Sequence, residues 1–182
     1  MLKLEFDRGT ILIHGDQATI DNLELPGCAF DHRVALSRAP ARHYRDIILR
    51  LTEERIPFED HARGYETLDL ALQVDRTPFP YQQEAIEAWW QAKGRGIIVL
   101  PTGAGKTFVA QLAMIRAQRS TLVIVPTIDL MQQWYGVLSG QFDTEVGLIG
   151  GGYFDVKPMT VSTYHSAYLH MERLGNLFGM VI

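Results

Sequence analysis

Leu2, Leu4 and Phe6 alternate with charged neighbours, Asp7-Arg8-Gly9 breaks the run, and Ile11 and Ile13 resume it. That period of two predicts an antiparallel hairpin over residues 2–14, with Gly9 supplying a positive φ in the turn. Tyr44, Ile47, Ile48 and Leu51 follow Pro40 at helical spacing, so residues 41–54 are expected to form a one-sided helix against the hairpin sheet. Alternation returns at Leu68, Leu70 and Leu72 after Gly64, a further expected strand. It ends in Asp75-Arg76-Thr77-Pro78-Phe79-Pro80, where two prolines forbid a regular element interior. The domain boundary is placed there, giving a small α+β domain over 1–74 and a second domain over 75–182.

From Tyr81 the rhythm changes to long helices separated by short apolar runs. The pattern predicts helix 81–93, strand 97–100, helix 106–117, strand 121–125 and helix 127–138, with further strands at 159–162 and 179–182. Strands alternating with helices of this length imply βαβ crossovers, hence an α/β domain with a parallel sheet flanked by helices. Because the last apolar run is also the end of the chain, the sheet is expected to be cut in mid-strand.

Composition sharpens this picture. With 47% hydrophobic and 21% charged positions in 182 residues there is apolar material for one medium or two small cores, which excludes disorder. Residues 1–75 carry 9 basic and 14 acidic side chains and residues 76–182 carry 8 and 7, so any contact with nucleic acid must be local. No apolar run approaches the roughly 20 residues of a membrane span, the N-terminus lacks a signal-peptide core, and the single Cys28 fits a reducing compartment; a cytoplasmic monomer is expected.

The most informative stretch is Leu100-Pro101-Thr102-Gly103-Ala104-Gly105-Lys106-Thr107, between an apolar run and a helix pattern. This is a phosphate-binding loop in its required setting. Gly103 and Gly105 let backbone N–H groups turn inward, with Thr102 and Ala104 completing the cradle, and the following helix N-terminus adds partial positive charge. Lys106 is placed to reach the β- and γ-phosphates, and the Thr107 hydroxyl suits the octahedral shell of a nucleotide-bound magnesium ion.

Pro101 to Thr107 resembles motif I of superfamily 2 helicases, in which the first position is commonly not glycine, as with Leu100 here. Tyr81-Gln82 resembles the adenine-recognition motif of that family, Pro126-Thr127-Ile128-Asp129-Leu130-Met131-Gln132-Gln133-Trp134 its motif Ia, Gly150-Gly151-Gly152 its glycine motif and Thr160-Val161-Ser162-Thr163-Tyr164 its motif Ic. With the N-terminal Arg8-Gly9-Thr10 and His43-Tyr44-Arg45-Asp46-Ile47-Ile48 added, the chain resembles the archaeal and bacterial XPB helicases over nearly its whole length.

The resemblance implies a damage recognition domain followed by a first RecA-like helicase domain, and a 3′ to 5′ ATP-driven DNA helicase or translocase in repair or transcription. It implies ATP or ADP with Mg2+ as cofactors, Gln82 on adenine, and Lys106 and Thr107 as catalytic residues of the whole enzyme. Phe79 stands where the family usually has arginine, so either Phe79 stacking or Arg76 reaching in would complete the base site. Thr127, Gly151 and Thr163, with Gln133 beside them, are the implied DNA contacts, because small or hydroxyl residues let the backbone approach phosphate. Distorted duplex or single-stranded DNA is the implied partner, with room for a nuclease or a transcription or repair factor.

The family continues with an Asp-Glu-x-His motif II and a second RecA-like domain, absent from these 182 residues. The expectation is therefore a polypeptide that binds nucleotide without turning it over. Two rival readings share the motifs: the motor of a restriction or remodelling complex, and a non-catalytic module that recognises DNA distortion or a repair partner.

Other signals read as structure. Arg42 and Arg45, with Arg33 and Arg38, read as a solvated face aided by an Asp46–Arg50 pair rather than as a phosphate patch. Trp89, Trp90 and Trp134 read as core, and the six histidines lack the spacing of a helical zinc site.

Overall fold

The computed structural model describes residues 1–74 and 76–182; Asp75, where the expected second domain begins, lies outside the described residues. The chain divides into two compact units, Met1–Gly64 with Tyr168–Leu177, and Tyr65–Ala167 with Phe178–Ile182. Leu68, Leu70 and Leu72 pack with the core of the second unit. Among the described residues no helix is long and apolar enough to cross a membrane.

In the first unit β1 (Leu2–Asp7) and β2 (Thr10–His14) form the expected antiparallel hairpin, in register from Lys3–His14 to Asp7–Thr10. Its two-residue turn has Arg8 at φ +46° and Gly9 at φ +78°, the type I′ geometry that matches strand twist. Beyond them lie α1 (Gln17–Asn22), β3 (Ala29–Asp31), β4 (Leu36–Pro40), α2 (Tyr44–Glu53, entered through a 3-10 turn) and β5 (Phe58–His61). The sheet order is β3-β4-β2-β1-β5, with β5 parallel to β1 and the other pairings antiparallel. Alternation puts Leu2, Leu4, Ile11 and Ile13 in one core with Ile20 of α1 and with Ile47 and Leu51, the buried stripe of α2.

Three arginines of this unit, Arg33, Arg38 and Arg50, are paired with carboxylates. Arg38 reaches Asp7 at 3.0 Å and Asp31 at 3.8 Å, while Arg33 holds Asp31 at 2.8 Å. The expected Asp46–Arg50 pair is replaced by Arg50–Glu54 at 3.2 Å, one turn later on the same helix. Hydrogen bonds from the side chain and then the backbone N–H of Arg33 pull the Asp31 carboxyl down from 3.8 to about 2. A carboxyl lowered by folding stabilises the native state above its unfolded value, and the gain fades as pH falls through 3.8 toward 2. Asp31→Asn is thus expected to lower the urea midpoint near pH 6, with the difference from the parent shrinking as pH approaches about 2.

The second unit contains α3 (Pro80–Gln91), α4 (Lys106–Ala117), β6 (Thr121–Val125), α5 (Ile128–Gln141), β7 (Val146–Gly150), β8 (Tyr153–Phe154), β9 (Met159–Thr163), the start of α6 (Tyr164–Leu174) and β10 (Met180–Val181). The sheet order is β10-β6-β9-β7-β8; the first four strands are parallel, as the helix–strand alternation predicts, and β8 turns back on β7.

Two expected strands are corrected. Residues 68–72 carry no ladder; a single bridge joins the preceding Thr67 to Arg119. The side chain of Gln118 takes the partner's place, accepting from Leu70 N at 2.6 Å and donating to Leu70 O at 2.9 Å. Residues 97–100 are likewise not laddered among the described residues. Ile98 and Leu100 pack toward Ile86, Val109 and Ala113, whereas Ile97 and Val99 are 92% and 85% exposed, so the run is one-sided rather than buried on both faces.

Candidate nucleotide and nucleic-acid site

The loop from Leu100 to Thr107 ends as α4 begins, and its two glycines take the backbone that side chains resist: Gly103 at φ +81° and Gly105, the residue capping α4, at φ +75°. Glycine is also required sterically at 105, because a Cβ there would come within 2.7 Å of Gln82 Nε2. Lys106 folds back over its own loop, donating from Nζ to the carbonyl oxygens of Leu100 and Pro101 at 3.0 Å each. The side chain that would meet phosphate is thus parked on the cradle's rim, and an incoming anion replaces two neutral acceptors by charged ones. Thr102 and Gly103 are exposed and Thr107 is half-buried on the first turn of α4.

The N-terminus of α3 is stitched to this loop. Gln82, only 1% exposed, accepts from Phe79 N at 3.0 Å through Oε1 and donates from Nε2 to Ala104 O at 2.9 Å. Tyr81 donates its hydroxyl to the same carbonyl at 3.1 Å. This revises the expectation for Gln82: its amide is already bonded at both ends to the protein, leaving one N–H and one lone pair, so its removal must disturb the phosphate loop as well as any base contact.

Phe79 and Arg76 occupy different situations. The Phe79 ring stacks on Tyr81 with centroids 5.8 Å apart and planes 9° from parallel, while remaining 57% exposed. The Arg76 guanidinium lies 4.3 Å from the centre of the Phe108 ring. Of the two, Phe79 presents the open aromatic surface.

Three of the four expected DNA contacts gather where parallel strands end. Thr127, after β6, caps α5 by accepting from Leu130 N at 3.3 Å. Gly151, after β7, has φ +59°, and a Cβ there would sit 3.4 Å from Ile128 Cγ2. Thr163, the last residue of β9, accepts from Ser166 N at 3.3 Å and is 3.0 Å from the Ser166 hydroxyl. Thr163 is 9% exposed, so its hydroxyl serves the start of α6 and only its surroundings face outward. Gln133 lies further along α5, on the exposed side of that helix.

Two features were absent from the sequence reading: the Tyr81 hydroxyl on the phosphate loop, and the β7–β8 turn that shapes the Gly150–Gly152 corner. The tyrosine preceding Gln82 was a signal for the first; nothing in the glycine run distinguishes a strand end from a loop.

A parallel α/β sheet with a glycine cradle opening into a helix places the second unit among P-loop proteins. Residues 75–182 match the family model described as type III restriction enzyme, res subunit, and residues 4–62 match that of the xeroderma pigmentosum group B helicase damage recognition domain. The chain belongs to the res-subunit family and carries the XPB damage recognition domain ahead of it. A DNA 3′-5′ translocase XPB2 of Sulfurisphaera tokodaii is 37% identical over 100% of this chain and 39% of its own length. A DNA 3′-5′ helicase XPB of Mycobacterium tuberculosis is 33% identical over 65% of this chain and 21% of its own length. Among solved structures, the UvsW helicase from bacteriophage T4 aligns over 99% of this chain and 80% of that one, with 17% identity and a TM-score of 0.48. The chain thus spans well under half the length of the two curated relatives.

Proposed function

We propose that this chain is the nucleotide-binding and DNA-contacting part of an XPB-type ATP-dependent DNA helicase or translocase, acting on single-stranded or distorted DNA in repair or transcription. The observation that carries this reading is the Gly103–Gly105 cradle at the head of α4, held against α3 by Gln82 and Tyr81, with the Lys106 ammonium on its rim. A Cβ at Gly103 would meet nothing within 4 Å, so the loop is open on that side, as a cradle for phosphate must be. Its donor set fits a nucleoside polyphosphate: backbone N–H groups from Thr102 to Thr107 and a helix N-terminus for the phosphates, Lys106 for the terminal ones, and the Thr107 hydroxyl for Mg2+. Phe79 stacks on the base, and Gln82 offers its remaining N–H and lone pair to the adenine edge. Bound Mg2+ supplies charge neutralisation at the phosphates.

DNA passes over the corner formed by Thr127, Gly151 and Thr163, with Gln133 at its side, where exposed backbone and two helix starts favour phosphate. The residues named here bind and orient; they provide no group that activates the attacking water, and the chain is expected to hold nucleotide without steady turnover.

A calorimetric titration of MgADP into the folded chain tests this. The parent is expected to bind, and Lys106→Ala to bind about ten- to a hundred-fold more weakly, the loss of roughly 1.5–3 kcal/mol that one charge-assisted hydrogen bond contributes. Absence of heat from a folded parent, or equal binding by the variant, would remove the basis of the proposal.

A further inference from the structure

A second cationic site lies at the other end of the parallel sheet. Its walls are the C-terminal end of α3, the turn over residues 93–95, Arg119 just before β6, and Gly179 with β10 after it, around a cavity of about 580 Å³. Arg119 and Gly179 precede β6 and β10, whereas Thr127 follows β6, and no residue of the phosphate loop lines this cavity.

The chemistry of this cavity is distinctive. Trp89 and Trp90 contribute indoles, and Lys93, Arg95 and Arg119 contribute cations. The Arg116 guanidinium lies 4.9 Å from the centre of the Trp90 ring. Half of the 8 basic side chains after residue 75 thus converge here. Among the described residues none of the four is held in an ion pair, and no carboxylate lines the cavity. In a chain of net charge −4, unopposed clustering of this kind calls for an anionic ligand.

The geometry is also fixed. Lys93 N donates to Trp90 O at 2.8 Å and Gly94 N to Trp89 O at 3.0 Å, with Lys93 at φ +60° and Gly94 at φ +71°, the double bond of a Schellman ending. A Cβ at Gly94 would lie 3.3 Å from Trp89 Cζ2, so glycine allows the turn to lie on the indole. Trp90 remains 41% exposed. Indole faces take bases, and lysine and arginine take phosphate; the cavity volume is that of small-ligand sites.

We propose that this cavity binds a nucleotide unit, a base stacked on Trp90 with its phosphate held by Lys93, Arg95 and Arg119, supplied either by a nucleic-acid strand or by a free mononucleotide. An acidic protein segment would satisfy the charges and leave the indole faces without a counterpart, which is why the nucleotide is favoured.

The test uses the full chain carrying Lys106→Ala and Trp134→Phe, in which the phosphate loop is weakened and Trp89 and Trp90 are the two remaining tryptophans. Oligothymidylate of about 12 nucleotides and thymidine 5′-monophosphate are titrated separately while indole fluorescence is followed. Quenching by the oligomer alone assigns the unit to a strand, and quenching by both admits the free nucleotide; either supports the site. Adding Lys93→Glu with Arg95→Glu, both exposed, is expected to lower affinity at least about tenfold and flatten its salt dependence. Trp90→Leu, which keeps every charge, is expected to remove most of the quenching. Unchanged binding in both variants would overturn the proposal, as would poly-L-glutamate competing as well as the oligomer.

Discussion

Gly105→Ala is expected to weaken MgADP binding by roughly 30- to 1000-fold, about 2–4 kcal/mol, while the chain remains folded. Two effects add. Alanine at φ +75° in the left-handed region carries about 1–2 kcal/mol of strain. Its Cβ also falls 2.7 Å from Nε2 of the buried Gln82, which must shift. Moving Gln82 breaks its bonds to Ala104 O and Phe79 N, worth about 0.5–1.5 kcal/mol each. The loop then relaxes away from the shape in which its N–H groups converge. A thermodynamic cycle with Gln82→Ala isolates the clash: without the amide, the alanine should cost only its backbone strain, so the double variant should lose less than the sum of the two single losses. Calorimetry on the four proteins checks this, and strictly additive losses would sink the steric account.

The same contact marks the limit of what the sequence discloses. The phosphate loop is legible because its chemistry is local: two glycines, a lysine and a hydroxyl in consecutive positions before a helix. The stitch from Gln82 to Ala104 joins residues 22 apart, and no spacing rule announces that the amide is already bonded to protein. For the fold, the hairpin, α2, α4 and α5 follow from periodicity, since one face of each is buried and the pattern records it, and β6 follows from a continuous apolar run buried on both faces. Leu68, Leu70 and Leu72 alternate for a real reason, as Leu70 is buried, yet a glutamine side chain rather than a strand meets the backbone there. The run 97–100 has the composition of a strand, but composition does not supply a neighbour, and two of its four side chains stay open to solvent. β7 was hidden by its own glycines, which lower strand propensity at the positions where another segment must approach.

That approach makes Gly147 the most demanding position in the second unit. It pairs with Thr160 in the parallel ladder of β7 and β9, and the strap over residues 155–157 crosses directly above it. Asp155 N donates to Leu148 O at 2.8 Å, and the buried Thr160 hydroxyl ties the strap at Lys157, accepting from Lys157 N at 3.0 Å and donating to Lys157 O at 2.7 Å. A Cβ at 147 would run into the Asp155 carbonyl oxygen and stand 2.9 Å from Lys157 N, all of it backbone. Nothing can rotate away, so Gly147→Ala must lift the strap and break these bonds, a loss of about 3 kcal/mol or more against a typical domain stability of about 5–15 kcal/mol. Gly136 and Gly140, in α5 of the same unit, make the opposite case: a Cβ at either meets nothing within 4 Å, and alanine there should stabilise by about 0.5–1 kcal/mol through helix propensity. Urea unfolding followed by tryptophan fluorescence reads this unit selectively, since Trp89, Trp90 and Trp134 all belong to it. Opposite signs for the same chemical change separate close backbone approach from any general intolerance of alanine, and a Gly147→Ala chain within about 0.5 kcal/mol of the parent would show that the strap yields.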